Sequence, residues 1–320
     1  MSEVYVGNLF ADEPLKNIYQ QKCDKYNIYS IGWAVKEHPK NFEEYCKTAK
    51  KTKYKKGDKY VAGEEIRGLK STIKTIAKLK KGDFIWTRNP EKGEYWLGRV
   101  TKNIQDIGVE DFYQIYKIDQ ETDSSDDFCL SIPCEKWKKF KLDEVHGNIV
   151  NSFMGHVIAH SSASEKIFSY CKSIYDNEQY PTISVEDFKY LLHPDDEEDL
   201  LGLYLQKEKN YYIYPSTNKL ATAAFEYELI QKDTLKKAII QCKMSDTNID
   251  LNSLLSYGYD IYCTTDKGNI LYNDKIYKKG DITNIKVEIL PLDFLITWAA
   301  KPENICILPN RLQRYIKMIK

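Results

Sequence analysis

The chain has 320 residues, 42% of them hydrophobic and 13% aromatic, with 47 basic and 47 acidic side chains and a formal charge of zero. This much apolar surface excludes a disordered polar chain, the length suits two compact domains better than one, and the balanced charge leaves no overall field to draw the molecule onto nucleic acid or an anionic membrane. No run approaches the roughly 18 apolar residues of a membrane span, and MSEVYVGNLF lacks the basic start and apolar stretch of a signal peptide, so a cytoplasmic protein without a membrane partner is expected. The eight cysteines are scattered; Cys129 and Cys134 form one close pair with no second pair to complete a zinc site, so reduced thiols are expected.

In chain order, Ile28 to Trp33 reads as a short strand ended by a glycine turn. The stretch from Lys47 to Lys59 follows, with seven lysines and one aspartate, whereas Asp106 to Asp127 holds eight carboxylates and one lysine. Such a basic strip suits phosphate contact through Lys51, Lys53, Lys55 and Lys56, although a solvated loop is the ordinary meaning of a charge run. Ile66, Leu69, Ile73, Ile76, Ala77 and Leu79 keep helical spacing up to a Lys-Lys-Gly stop. Phe84–Trp86 and Tyr95–Val100 flank a Pro/Gly loop as a hairpin, and Phe112 to Ile118 reads as a further strand. Between Gly147 and Ser164 the chain turns small and polar, which places a domain boundary near residue 160 and divides the protein into 1–160 and 161–320. His146, His156 and His160 lie around it without carboxylates at useful spacing and read as linker residues rather than ligands.

The second half predicts helices over Glu165–Tyr175 and Asp196–Gln206. Strands follow at Tyr211–Tyr214, Phe225–Ile230, Ala238–Lys243 and Ile261–Thr264, with a helix at Leu251–Tyr257. A strand alternates its side chains, so Glu226 and Glu228 share one face, and Ile239, Gln241 and Lys243 share one face of the next strand. Paired as a hairpin, carboxylates then meet an amide and an ammonium, a set of hard oxygen donors with a cation beside them. A hairpin with one wet face and ordinary Glu–Lys pairs is the plainer alternative. The acidic helix from Pro194 is placed to aim Glu198 at the same end.

Glu-Asp-Leu-Leu in that helix, Phe225-Glu226-Tyr227, and Ile240-Gln241-Cys242-Lys243 resemble the PD-(D/E)xK nucleases, in particular the branch related to Mrr restriction enzymes, over about residues 190 to 265. The resemblance implies an α/β restriction-endonuclease-like αβββαβ domain with Glu226 as metal ligand, Gln241 as supporting ligand, Lys243 acting on the phosphate or water and Glu198 as the helical carboxylate. Mg²⁺ or Mn²⁺ is the implied cofactor. The usual first aspartate is replaced here by Glu226 or Glu228, and Glu226 is favoured.

Ile31-Gly32-Trp33, Lys81-Gly82-Asp83-Phe84-Ile85-Trp86 and Tyr95-Trp96-Leu97-Gly98-Arg99-Val100 resemble PUA-like or EVE-like modules, which hold a nucleobase in an aromatic pocket. This second likeness implies an α+β, PUA-like β-barrel in the N-terminal half, with Trp33, Trp86 and Trp96 as base-stacking surfaces, although tryptophans of a small barrel are commonly core. The chain is then expected to be a DNA endonuclease of restriction type, acting on double-stranded DNA with or without modified bases and working as a homodimer. The alternative is a catalytically inactive DNA- or RNA-binding protein that retains the nuclease fold.

Overall fold

The computed structural model describes residues 2–9, 16–56, 58–89, 92–114, 128–153, 158–161, 164–214, 225–243 and 246–319. The chain is a mixed α+β protein that divides into two compact units, Met1–Pro181 and Thr182–Lys320. Among the described residues no helix is long and apolar enough to cross a membrane.

The first unit contains β1 (Val4–Gly7), α1 (Lys16–Tyr26), β2 (Ile28–Ser30), α2 (Phe42–Lys51), β3 (Lys53–Lys56), β4 (Lys59–Ala62), α3 (Arg67–Ile76), β5 (Phe84–Asn89), β6 (Glu94–Arg99), β7 (Phe112–Tyr113), β8 (Cys129–Pro133), β9 (Lys138–Lys141), α4 (Gly147–Ser152), β10 (Ile158–His160) and α5 (Ser164–Asp176). Five strands pair in the order β10-β1-β5-β6-β9, with β1 and β5 parallel and the other neighbours antiparallel. The predicted hairpin is present as β5 and β6, whose register sets Trp86 opposite Leu97 and Thr87 opposite Trp96. Opposed residues share a face and successive ones alternate, so each face of this sheet receives one tryptophan. Helix α5 covers the Trp86 face, with Phe168 and Tyr175 on Phe84 at 5.3 and 5.6 Å between ring centres. On the other face Ile85, Trp96 and Trp137 join Tyr29 and Ile132 in the main core. Gly98 is required there, because a β-carbon on it would stand 2.8 Å from the Trp137 ring.

Three expectations for this half are corrected. A β-barrel is not formed among the described residues: β9 and β10 are the edges of the five-stranded sheet, and β2-β8-β7 and β3-β4 form separate small sheets. The stretch after Gly147 is not a linker, since α4 and β10 belong to the unit and β10 pairs with β1. The division therefore falls after Pro181 rather than near residue 160, because α5 packs on the first unit's sheet. Of the strand expected over Phe112–Ile118, β7 covers Phe112 and Tyr113, and residues 115–118 lie outside the described residues, as does His156.

The second unit contains α6 (Val185–Lys189), α7 (Pro194–Glu208), β11 (Tyr211–Ile213), β12 (Tyr227–Gln231), β13 (Lys237–Lys243), β14 (Ile249–Asp250), α8 (Leu251–Leu255), β15 (Asp260–Thr265), β16 (Ile270–Tyr272), β17 (Lys275–Ile276), β18 (Val287–Ile289), α9 (Leu292–Ala299), α10 (Pro302–Ile305) and α11 (Asn310–Ile316). Its main sheet runs β11-β12-β13-β15-β18; β11, β12 and β13 are an antiparallel meander, and β13, β15 and β18 are parallel. Helix α7 begins at Pro194, whose missing N–H and fixed φ suit the first helical position. Asp196 accepts the His193 N–H at 2.7 Å, and the His193 ring accepts that of Asp195 at 3.2 Å. The helix lies close to the meander: a β-carbon on Gly202 would stand 3.2 Å from Ile213 Cδ1 and 3.8 Å from the Tyr227 ring. Ile239, Ile261 and Cys263 form a separate core with Leu251 and Leu254 of α8. The central strand β13 is thus enclosed from Ala238 to Cys242, with Gln241 among its buried residues and Lys243 emerging at its C-terminal end.

Candidate active site

Strand register brings the predicted residues together. Tyr227 is opposite Ile240 and Glu228 opposite Ile239, and the Glu226 N–H donates to the Ile240 carbonyl at 2.9 Å, so Glu226 stands beside Gln241 at the start of the hairpin pairing. Gln241 Nε2 donates to Glu226 Oε1 at 2.6 Å, and Lys243 Nζ lies 3.9 Å from the same oxygen. Glu228, the alternative acid, is taken up by Lys237 at 2.7 Å, further along the hairpin. Of the two glutamates, Glu226 is the one that stands beside Gln241 and Lys243.

Helix α7 supplies the remaining charge. Asp195, Asp196, Glu197, Glu198 and Asp199 are consecutive, and residues 100° apart on a helix wrap its whole circumference, so this run must place some carboxylates against the sheet. Glu198 is pushed up to about 7, first by burial and then by Glu226, Asp195 and Asp199, against the pull of Lys243. Glu226 is itself raised by burial, with Lys243 and Gln241 opposing. Glu197 is deeper, with 1% of its surface exposed and both carboxyl oxygens lacking a hydrogen-bond partner among the described residues. Burial and the neighbouring Asp266, Asp196 and Glu198 push it up to about 8. Asp199 is pushed up to about 6 by burial and Asp196. Sequence reasoning passed over Asp195, Glu197 and Asp199; five acids in succession at the start of an amphipathic helix were the signal that would have found them. Glu198 and Asp199 also line a cavity of about 270 Å³ with Leu203, Tyr227, Ile307 and Leu308.

These residues suit a hard divalent cation. Carboxylate and amide oxygens are its preferred donors, and the 2.6 Å contact shows that the Glu226 and Gln241 head groups converge on one point. Turning the Gln241 amide through 180° exchanges its nitrogen for its oxygen at that point. Among the described residues no cluster of three His, Cys, Asp or Glu side chains is formed that would hold a metal, so a cation here depends on the Gln241 amide together with Glu226.

The other expected residues do not form one site. Trp86 is fully buried against α5 and its indole N–H points at Cys171 Sγ, 3.2 Å away. Trp96 is buried on the opposite face, 6.2 Å from the Trp137 ring, with its N–H on Glu94. Trp33 packs edge-on against Tyr54 at 5.1 Å. The three indoles accordingly do not share a base-stacking pocket, because the one-residue offset of Trp86 and Trp96 in register sends them through opposite sides of the sheet. His146 caps α4 inside the first unit and His160 stands 3.3 Å from Glu3. Of the lysines, Lys51 ends α2, and Lys53 and Lys55 share one face of the β3–β4 hairpin while Lys56 is on the other. Comparison of the chain with family models, with curated proteins and with solved structures finds no match to any of them.

Proposed function

We propose that the second unit is a metal-dependent endodeoxyribonuclease of the PD-(D/E)xK type, hydrolysing phosphodiester bonds of double-stranded DNA in a restriction or defence setting. The observation that carries this reading is the convergence of Gln241 and Lys243 on Glu226 Oε1, at 2.6 and 3.9 Å, at the C-terminal end of a largely buried strand. The run of α7, three antiparallel strands, α8 and a strand parallel to β13 supports it, since apart from the two-residue β14 before α8 it follows the αβββαβ order expected of such a domain.

Glu226 and Gln241 would hold Mg²⁺ or Mn²⁺, with Glu198 completing the negative side of the site. When bound, the cation acidifies an attacking water and offsets the charge that builds on the scissile phosphate. Lys243 presents an ammonium beside the same point, placed to stabilise a phosphate oxygen as charge develops on it. Burial and the neighbouring Glu226 raise Glu198 above the usual carboxylate range, which suits it to hold or release a proton within the site. Cutting both strands of a duplex needs two such centres, which a homodimer supplies.

A catalytically inactive nucleic-acid-binding protein is the second reading. It is favoured by one observation: Gln241 and Lys243 already satisfy Glu226 from within the chain, and a neutral amide gives the cation one charge less than a carboxylate would. Incubation of plasmid and matched modified plasmid with Mg²⁺ or Mn²⁺ separates the two. Metal-dependent cutting supports the nuclease, and DNA retention with intact plasmid under both metals supports the binding protein.

A further inference from the structure

The first unit carries a basic groove of about 550 Å³, lined by Lys36, Lys47, Lys51 and Lys53 together with Glu37 and Tyr60. Three elements build it. The segment after Val35 is held by reciprocal backbone bonds between Val35 and Phe128 at 3.0 and 2.7 Å, α2 contributes Lys51 from its last turn and Lys47 from the turn before, and the β3–β4 hairpin contributes Lys53 and Tyr60. A helix C-terminus attracts cations through its dipole, which accounts for Lys51; it does not account for Lys36 or Lys53, which come from other elements. Lys47 is paired with Glu43 at 2.8 Å. Lys36, Lys51 and Lys53 form no ion pair or ring contact among the described residues, so three unpaired ammonium groups line one concave surface, with Glu37 as the carboxylate beside them.

Tyr60 is 69% exposed, unusually so for a large ring. It lies opposite Lys55 on the hairpin, on the face that also bears Lys53. Tyr54, on the other face, packs against Trp33 and braces the hairpin on the main core. The hairpin thus buries one aromatic as an anchor and displays the other beside a row of cations. A flat ring flanked by unpaired lysines is the arrangement that stacks a base while its phosphates are held on either side.

We propose that this groove binds an unpaired nucleotide of a DNA strand, with the base stacked on Tyr60 and the flanking phosphates on Lys36, Lys51 and Lys53. The site deepens the nucleic-acid reading of the protein by locating strand recognition away from Trp86 and Trp96, and it does not require that the second unit be catalytic. Stacking is tolerant of base identity, so the groove favours single-stranded over duplex DNA rather than one sequence over another.

The test is fluorescence anisotropy of the full-length protein in chelating buffer, with a short labelled oligothymidylate and with a duplex of equal length, across a salt series. Tyr60→Ala is expected to weaken single-strand binding about fivefold or more while Tyr60→Phe keeps it. Lys51→Glu with Lys53→Glu is expected to weaken it at least about tenfold and to flatten its salt dependence. All of these side chains are exposed, and circular dichroism checks that the variants remain folded. Unchanged single-strand affinity in Tyr60→Ala overturns the proposal. So does equal or tighter binding of duplex that is insensitive to Tyr60, which makes the groove a simple backbone contact, and so does the absence of any binding at low salt. Because metal is chelated, the result is independent of cleavage: a protein that binds through Tyr60 but never cuts refutes only the nuclease reading.

Discussion

Lys243 brings its ammonium to 3.9 Å from Glu226 Oε1 and is close to half exposed, so its removal neither opens a core nor leaves a buried charge unpaired. Lys243→Ala is expected to lower kcat by about 10²–10³ while DNA affinity changes little, as follows when a group acts mainly on charge that develops in the transition state; single-turnover kinetics beside equilibrium binding read the two effects apart. Gln241→Glu replaces a hydrogen-bond donor by a second carboxylate against Glu226. It is expected to lower the melting temperature without divalent cation and to enlarge the rise that Mg²⁺ produces, in thermal melts of wild type and variant with and without the ion. The residues of this site were legible because a strand has period two and the glutamate, glutamine and lysine sit in phase with it. The tryptophans were not: Trp86 and Trp96 occupy similar aromatic strands, and which face each takes depends on a register that local sequence does not specify.

At the scale of elements, α7 is fixed by a pair that spans the second unit. Arg311 of α11 donates through Nε to the buried Asp196 carboxylate at 2.9 Å, while the same carboxylate caps the helix at His193. Arg311→Ala leaves Asp196 buried and uncompensated, and a loss of about 3–5 kcal/mol is expected in denaturant unfolding of the second unit. In the first unit Gly98→Ala drives a methyl into the Trp137 ring and is expected to cost about 1–3 kcal/mol. Helix α7, the β5–β6 hairpin and the β12–β13 pair could be read in advance, since each carries its own caps, turn residues or alternation. Strand β10 could not. Its three residues are too few to show a period, and what makes them a strand is pairing with β1 at the other end of the unit. Missing that pairing turned an integral edge strand into a linker and moved the boundary.

Across the whole molecule the two units carry buried groups that respond to pH in opposite senses. Burial pushes His146 down from 6.5 to about 3, so it stays neutral in the folded first unit but charges in the unfolded chain; its contribution to stability is present above about 6.5 and is lost as pH falls toward 3. Glu197 is pushed up from 4.5 to about 8, so its contribution to the second unit is present below about 4.5 and is lost as pH rises through 8. Hydrogen exchange resolved by segment is expected to show the first unit loosening first in acid and the second losing protection toward alkaline pH, with Glu197→Gln flattening the alkaline trend. Equal pH responses in both units would contradict this assignment. The most direct test of the central claim is cleavage of supercoiled plasmid by the purified protein with Mg²⁺ or Mn²⁺, beside Glu226→Ala and Lys243→Ala. Nicked or linear product from the wild type, absent in chelator and from both variants while they still bind DNA, is the result expected; cutting by either variant at the wild-type rate would contradict it.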